Sequence, residues 1–409
     1  MLTGKQIVLG VSGGIAAYKA IELLRLLTKA GASVHVIMTR SAQEFIAPLT
    51  FQTLSAHPVH TELFSLIAER EIGHISLADR ADLFVIAPAT ANIIGKIAAG
   101  IADDMLTTTV MATKAPVLIA PAMNVNMYTN PIYQKNEERL RHFGYQFVSP
   151  VCGSLACGWE GQGKLADPAT ICEAVVVLLT PKDLSGKKIM VTAGPTREEI
   201  DPVRFISNHS SGKMGYAVAQ AAVRRGAQVL LISGPTALPV PDGVEHLPVE
   251  SALQMQTAVL ARAGECQIVI KAAAVADYRP RERTTSKIKK NSENISIELV
   301  KNPDILATLG ALQQRPFLVG FAAETDAVAG YAAGKMKAKN LDMIVANDVS
   351  QSDAGFNVDT NRALLLFRDG RCVESGLMTK AQLAGVILDH VVSEIAAGPS
   401  PERSESVLS

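Results

Sequence analysis

The stretch KQIVLGVSGGIAAYKAIELLRLLTKAGASVHVIM, Lys5 to Met38, decides the fold. It opens with a short β-rich apolar run, Lys5 to Val11, that ends in Ser12-Gly13-Gly14. An amphipathic helix pattern follows to Ala30, then Gly31, then a second strand from Ser33 to Met38. Strand, glycine turn, helix and strand in that order begin a parallel sheet flanked by helices. The plan recurs later: Lys187 to Thr192 enters a turn at Gly194, and the helix pattern Gly212 to Arg225 leads through Gly226 to the strand Gln228 to Ser233. The second copy differs by an insertion, Pro195 to Ser211, between turn and helix. Two copies predict an α/β protein made of two open, doubly wound, Rossmann-like domains.

Further strands are expected at Asp82 to Ala87, Pro116 to Ala120, Gln267 to Ala272, Ile295 to Leu299, Phe317 to Phe321, Met343 to Ala346 and Ala363 to Phe367. The run Pro181 to Gly186 is the natural boundary, which gives domains 1–182 and 183–396. The Pro/Ser/Glu-rich tail, 397–409, reads as disordered. A chain of 409 residues is too long for one ordinary core. Its 39 basic residues balance 39 acidic ones, so no global field favours nucleic acid or an anionic membrane. Any anion must be held by local groups. Five scattered cysteines form no CxxC pair and no disulfide framework, which suits a reducing, cytoplasmic setting. No apolar run approaches the roughly 20 residues of a membrane span.

Ligands of doubly wound sheets bind outside the carboxyl ends of the strands, and the chemically suggestive motifs all follow predicted strands. In the first half Ser12, Gly13 and Gly14 allow close backbone approach to a phosphate, with Thr39 and Ser41 adding hydroxyls after the second strand. This turn is not a GxGxxG fingerprint, and Thr39 stands where a nicotinamide dehydrogenase would carry an acidic residue. In the second half, Ser207 to Gly215 (SNHSSGKMG) sets an amide, hydroxyls, glycines and a lysine before a helix, as an anion site would. A lysine cluster, Lys287 to Lys290, comes later; such clusters are usually solvated surface.

Several long motifs carry a family resemblance. SGGIAAYK from Ser12, the run Ala87 to Asp103 (APATANIIGKIAAGIAD) and PAMNVNM from Pro121 resemble the flavin-dependent cysteine decarboxylases. The resemblance implies a flavodoxin-like flavoprotein domain with FMN held at Ser12, Gly13, Gly14, Thr39, Ser41, Pro88, Ala89, Thr90 and Ala91. It also implies His74 as the active-site histidine, Asn124 as the grip on the substrate carboxylate and Cys157 as a reactive cysteine on a substrate-covering loop. The implied chemistry suits a carboxylate on a saturated carbon, which has no electron sink when CO2 leaves. Oxidation of the neighbouring thiol to a thioaldehyde supplies one. A flavin-binding regulator without enzyme activity would not need His74, Asn124 and Cys157 together.

GPTREEIDPVRFISNHSSGKMG from Gly194, KAAAVADYRP from Lys271, KIKK, KNPDIL from Lys301 and GFAAET from Gly320 resemble the CTP-using bacterial phosphopantothenoylcysteine synthetases. Making an amide from a carboxylate requires activation, and nucleotidyl transfer requires phosphate-binding cations, usually with Mg2+. The resemblance implies that Arg204 and Asn208 support an acyl-cytidylate, with Lys287 as phosphate partner. It sets Ala273, Ala274, Asp277, Lys287, Pro303, Asp304, Ile305, Leu306, Phe321, Lys335 and Lys339 around CTP; no metal ligand is assigned. Lys289 and Lys290 are alternatives for a subunit contact, and Met214 and Phe205 are expected in the core. Decarboxylase first and ligase second is the order of the bifunctional coenzyme A biosynthesis family, which implies 4'-phosphopantothenate, L-cysteine and CTP as substrates. It implies homo-oligomers too, trimeric decarboxylase units and dimeric ligase units forming a dodecamer.

Overall fold

The computed structural model describes residues 2–63, 73–154, 160–289, 295–324, 328–348 and 358–398. The chain divides into two compact units, Met1–Thr180 and Pro181–Ser409, close to the break expected after Lys182. Residues 399–409 lie outside the described residues; Ala397, assigned to the tail from sequence, instead ends a helix.

The first unit runs β1 (Gln6–Val11), α1 (Ala17–Lys29), β2 (Ser33–Met38), α2 (Arg40–Gln43), α3 (Pro48–Ser55) and β3 (Val59–His60). It continues with α4 (Gly73–Arg80), β4 (Leu83–Ala89), α5 (Ala91–Ala99), α6 (Met105–Ala112), β5 (Val117–Pro121), α7 (Val125–Tyr128), α8 (Pro131–His142) and β6 (Gln146–Phe147). A hairpin of β7 (Val151–Ser154) and β8 (Glu160–Lys164) and the helix α9 (Pro168–Leu179) complete it. The main sheet has the order β3-β2-β1-β4-β5-β6, and every pairing in it is parallel. Alternation places Ile7, Leu9 and Val11 of β1 in the core under α1, α3 and α9, while Val8 enters the core under α5, α6 and α8. A period of two with both faces apolar is what a sheet covered on both sides requires.

The second unit starts with β9 (Lys188–Ala193), β10 (Arg197–Glu199), β11 (Phe205–Ser207), α10 (Lys213–Arg224), β12 (Gln228–Ser233), β13 (Val244–Pro248) and α11 (Ala252–Arg262). Then come β14 (Ile268–Lys271), β15 (Tyr278–Pro280), β16 (Leu299–Lys301), α12 (Ile305–Gly310), β17 (Phe317–Glu324), α13 (Val328–Ala338), β18 (Met343–Asp348), β19 (Thr360–Phe367), β20 (Cys372–Thr379) and α14 (Lys380–Ala397). Its sheet has the order β13-β12-β9-β14-β17-β18-β19-β20. The six strands from β13 to β18 are parallel, and β19 and β20 extend the edge antiparallel, so this sheet is mixed. The alternation at Ile295 to Leu299 does not belong to it. Residues 295–298 form no strand; the chain enters β16 only at Leu299, where it pairs antiparallel with β15 in a separate ribbon, and Ile295, Ile297 and Leu299 are exposed.

In each sheet the chain leaves the first strand in one direction and later returns to its other side. The reversal falls between β1 and β4 in the first unit and between β9 and β14 in the second. Loops from adjacent strands diverge there and leave a crevice.

Candidate active sites

In the first unit a cavity of about 940 Å³ opens at the β1/β4 reversal, the size of a cofactor site. Its wall includes Gly13, Gly14, Thr39, Ser41, Thr90, Ala91 and Asn124, seven of the residues expected from sequence. Gly13 is required by space: a Cβ there would stand 2.3 Å from Ser41 Cβ and 2.7 Å from the Ser41 carbonyl carbon. Thr90 caps α5 and Thr39 caps α2, each hydroxyl accepting from a backbone N–H of the first turn. The start of α5 is a natural place for an anionic group.

Ser12, Pro88 and Ala89 have a different place. Ser12 is buried, donates through Oγ to the Pro88 carbonyl (2.8 Å) and accepts from the Thr90 N–H (3.0 Å). It braces the two turns instead of lining the cavity, and Ala89 is buried at the end of β4. Asn124 caps α7 through Oδ1 and the Asn126 N–H (2.8 Å) and faces the cavity beside Met123, Met127 and Gly163. Its loop is fixed by the Met123 N–H donating to the Gly163 carbonyl (2.9 Å). His74 stands on α4 outside the cavity wall, its Nδ1 buried without a hydrogen-bond partner among the described residues. Cys157 lies outside the described residues; β7 and β8 on either side of it pair antiparallel, and β8 gives Gly163 and Lys164 to the wall.

Sequence reading missed the cations of this cavity: Lys19, Arg40, Lys96 and Lys164. They are spread over four elements, so no local run announces them. Lys96 is held above the usual lysine range chiefly by its hydrogen bond to Asp103 (2.8 Å).

In the second unit the loops at the β9/β14 reversal are joined to one another. The Ala274 N–H donates to the Gly194 carbonyl (3.0 Å), and the Ala276 N–H donates to Thr196 Oγ1 (3.0 Å). The Ala274 carbonyl accepts from the Thr196 N–H (3.2 Å) and from Asn208 Nδ2 (3.0 Å), so Asn208 is tied to the Ala273–Ala274 loop. Gly212, at φ +79°, turns the chain into α10, and a Cβ at Gly215 would stand 2.5 Å from Ala193 Cβ. Those two glycines let the start of α10 press against the end of β9.

Around this loop the structure gathers Ala273, Ala274, Asp277, Asp304 and Lys339. Buried Asn302, missed from sequence, donates through Nδ2 to the Ala276 carbonyl (2.8 Å) and through its N–H to the Asp277 carbonyl (2.8 Å). That bond sets Pro303 and Asp304 beside Asp277. Asp304 caps α12 through the Ala307 N–H (3.1 Å) and pairs with Lys339 Nζ (2.9 Å). Ile305 and Leu306 are buried under α12, and Lys335 lies one turn before Lys339.

Arg204 and Lys287 form a second cluster. Arg204 donates to the Ile288 carbonyl (2.7 Å) and pairs with buried Asp201 (3.3 Å). Burial alone would raise the Asp201 carboxyl, but N–H donors of Val203, Ile288 and Arg204, and the Arg204 charge, hold it below its ordinary value. Lys287 is exposed next to this anchor. The Phe321 side chain packs on the opposite face of the sheet from Asp304, with the core under α10 and α14. Met214 packs against that core as expected, but Phe205 is exposed, with the Arg197 guanidinium 4.7 Å above its ring. Phe205 lies on the short two-stranded ribbon β10–β11, outside the main sheet. Among the described residues no group of three or more His, Cys, Asp or Glu is arranged to hold a metal ion, and no helix is long and apolar enough to cross a membrane.

Comparison with known proteins agrees with this division. The flavoprotein family matches residues 1–180, and the C-terminal domain family of the DNA/pantothenate metabolism flavoproteins matches residues 184–395. The coenzyme A biosynthesis bifunctional protein CoaBC of Vibrio cholerae is 50% identical over 96% of this chain and 99% of its own length. That of Bacillus subtilis is 50% identical over 96% and 98%. A crystal structure of the C-terminal domain of such a protein is 45% identical over 53% of this chain and 99% of its own, with a TM-score of 0.46. With half of its residues shared along almost the whole length of both relatives, the chain belongs to the bifunctional coenzyme A biosynthesis protein family.

Proposed function

We propose that the second unit joins 4'-phosphopantothenate to L-cysteine at the expense of CTP with Mg2+, releasing CMP and diphosphate. The first unit then removes CO2 from the product, with FMN, to give 4'-phosphopantetheine. The observation that supports this most is the β1/β4 cavity. It combines a glycine turn with no space for a side chain, the capped start of α5, four cations and the Asn124 amide in about 940 Å³.

These residues suit a flavin mononucleotide, an apolar ring system ending in a phosphate. Gly13, Gly14, Thr39, Ser41, Thr90 and Ala91 would hold it, with Ser12 fixing the turns they stand on. A bound flavin would supply reversible two-electron redox chemistry for the substrate carbon that bears the thiol. Asn124 offers an amide N–H to the substrate carboxylate until that carboxylate departs as CO2. His74 is assigned the proton taken in the oxidation, and Cys157 the proton delivered to the product.

In the second unit, Lys287, Lys335 and Lys339 offset the triphosphate charge, and Asp277 accepts from the cytosine amino group or the ribose. Arg204 and Asn208 hold the activated acyl group while the cysteine amine attacks. The protein works in the cytoplasm as a homo-oligomer, with trimeric decarboxylase units and dimeric ligase units forming a dodecamer.

The test supplies the full chain with phosphopantothenate, Mg2+ and either CTP or ATP, with and without cysteine, and follows diphosphate and CO2 separately. Diphosphate release that requires CTP, and CO2 release that requires cysteine and the yellow holoprotein, are expected. A colourless protein that takes up no FMN and leaves CTP intact overturns the reading.

A further inference from the structure

Lys271 is the last residue of β14, at the reversal of the second sheet. It ends an otherwise apolar strand, IVIK, and its parallel neighbours in register are Thr192 of β9 and Gly320 of β17. Val269 and Ala273, two residues to either side, enter the core under α11, α12 and α13, so Lys271 points to that same face. At Gly320 the core itself takes the space of a side chain: a Cβ there would stand 2.8 Å from Leu341 Cδ1 and 3.2 Å from Leu306 Cδ1.

The charged groups that face Lys271 are Lys339 after α13, Asp304 at the start of α12 and Asp277 in the loop after β14. All three stand among the residues assigned to the nucleotide. Asp304 is already engaged by Lys339 (2.9 Å) and by the Ala307 N–H (3.1 Å). The half-buried Lys271 ammonium makes no hydrogen bond to any described residue. Burial, and then the like charge of Lys339, push its amine down to about 8 against the pull of Asp304 and Asp277.

A partly desolvated ammonium with unused donors is unfavourable unless something brings it acceptors. Two lysines near enough to feel each other's charge favour an anion beside them. We propose that Lys271 contacts the phosphate chain of the bound nucleotide from beneath, as the partner of Lys339. This rests on the reading that the second unit takes CTP. An anion in that position favours the charged amine, so binding near pH 8 draws a proton onto Lys271.

The test is calorimetric titration of the full-length holoprotein with CTP and, separately, with cytidine. It is run at pH 8 in two buffers of different ionisation enthalpy, on wild type, Lys271→Met and Lys271→Arg. Lys271→Met is expected to bind CTP about 10- to 100-fold more weakly, to bind cytidine as wild type does and to lose the proton uptake. Lys271→Arg, charged at every pH used, restores CTP affinity to within about threefold without proton uptake. Lys271→Met that binds CTP within about twofold of wild type, with the same proton count, overturns the proposal. So does an equal loss of cytidine and CTP affinity with a lowered unfolding temperature, which is a structural role. Wild type that binds no CTP sinks the nucleotide reading itself and this proposal with it.

Discussion

The two sheet reversals follow one plan and arrive at opposite kinds of site. At β1/β4 the crevice is walled largely by backbone, hydroxyls and apolar side chains, with Lys19, Arg40, Lys96 and Lys164 set around it and its turns braced from behind by buried Ser12. At β9/β14 the loops are bonded across the crevice, and the groups gathered around them are ions: Lys271, Lys339, Asp304 and Asp277. A coenzyme that stays bound through many turnovers is well served by shape. On the proposed function the second site takes a triphosphate that enters, is split and leaves, and such a ligand needs charges whose balance changes as it does. Shape and charge fail in different ways when altered, and each unit can therefore be tested against the other in one chain.

The largest effect is expected at Asn208. Its Nδ2 donates to the Ala274 carbonyl, and Asn208→Asp replaces that donor with an acceptor facing an acceptor. We expect amide formation to fall about 100-fold or more, diphosphate to appear without a matching amount of amide, and CO2 release from supplied phosphopantothenoylcysteine to be unchanged. Chromatographic separation of the acyl-cytidylate from the amide reads this directly. A parallel loss of decarboxylation would mean that the two sites are not separable.

Between pH 6.5 and 4, acid should weaken the first unit through one buried histidine. His35 is buried in β2, stacked on His57 at 4.3 Å and bonded to Gln6 through Nε2 (3.1 Å). Burial, then the charges of His57, Arg80 and His60, lowers it to about 4. The unfolded chain takes up that proton near 6.5, so between pH 6.5 and 4 it binds more protons than the folded one and stability falls as pH falls. The loss approaches about 3 kcal/mol at the acid end. Urea transitions across this range, followed by flavin release, should lose their pH slope in His35→Gln. A slope that survives would move the cause to another group.

How much of this could be read in the sequence depends on whether the signal was local. The strand and helix periods, the glycine turns and the two-unit plan lie within short windows, and the sheets follow them. Gly13 and Thr39 were legible because each follows a strand that ends at the crevice, whereas Thr90 and Asn124 were marked by the family resemblance of the motifs they stand in. The mixed edge β19–β20 was only half legible, since β20 alternates exposed and intermediate residues and carries no apolar run. Ile295 to Leu299 alternates like a sheet strand, yet 295–298 form no strand and only Leu299 enters the two-stranded ribbon. Asn302 and Lys271 act through partners far along the chain, and no spacing rule connects them. A lysine closing an apolar strand was the one local sign available.

Overpacking the first crevice tests whether it works by shape. Gly13→Val drives a branched side chain into Ser41, where even a Cβ would stand at 2.3 Å. The strain is of order 1–3 kcal/mol, and flavin affinity should fall about 10- to 100-fold, read by fluorescence quenching on titration of the apoprotein with FMN. CTP-dependent diphosphate release should be unaltered. A yellow Gly13→Val protein of normal affinity would show that the turn is not the cradle.

The smallest effect separates charge from capping in the second unit. Asp304 serves both α12, through the Ala307 N–H, and Lys339, through its other oxygen. Burial would raise its carboxyl, but Lys339 and the Ala307 N–H hold it below the usual value. Its contribution to stability is therefore complete above the ordinary carboxylate pKa and lost as pH falls through the lower, folded one. Asp304→Ala removes both roles and should cost about 1 kcal/mol. Asparagine caps as well as aspartate, so Asp304→Asn should stay within a few tenths of a kcal/mol of wild type at pH 7 while freeing Lys339 from its counter-charge. If the second site works by charge, that variant should also hold CTP at least as tightly as wild type despite its unchanged stability. Urea midpoints and CTP titrations on the pair decide it: equal destabilisation by Asn and Ala would make the ion pair, not the cap, the main tie between α12 and the end of α13.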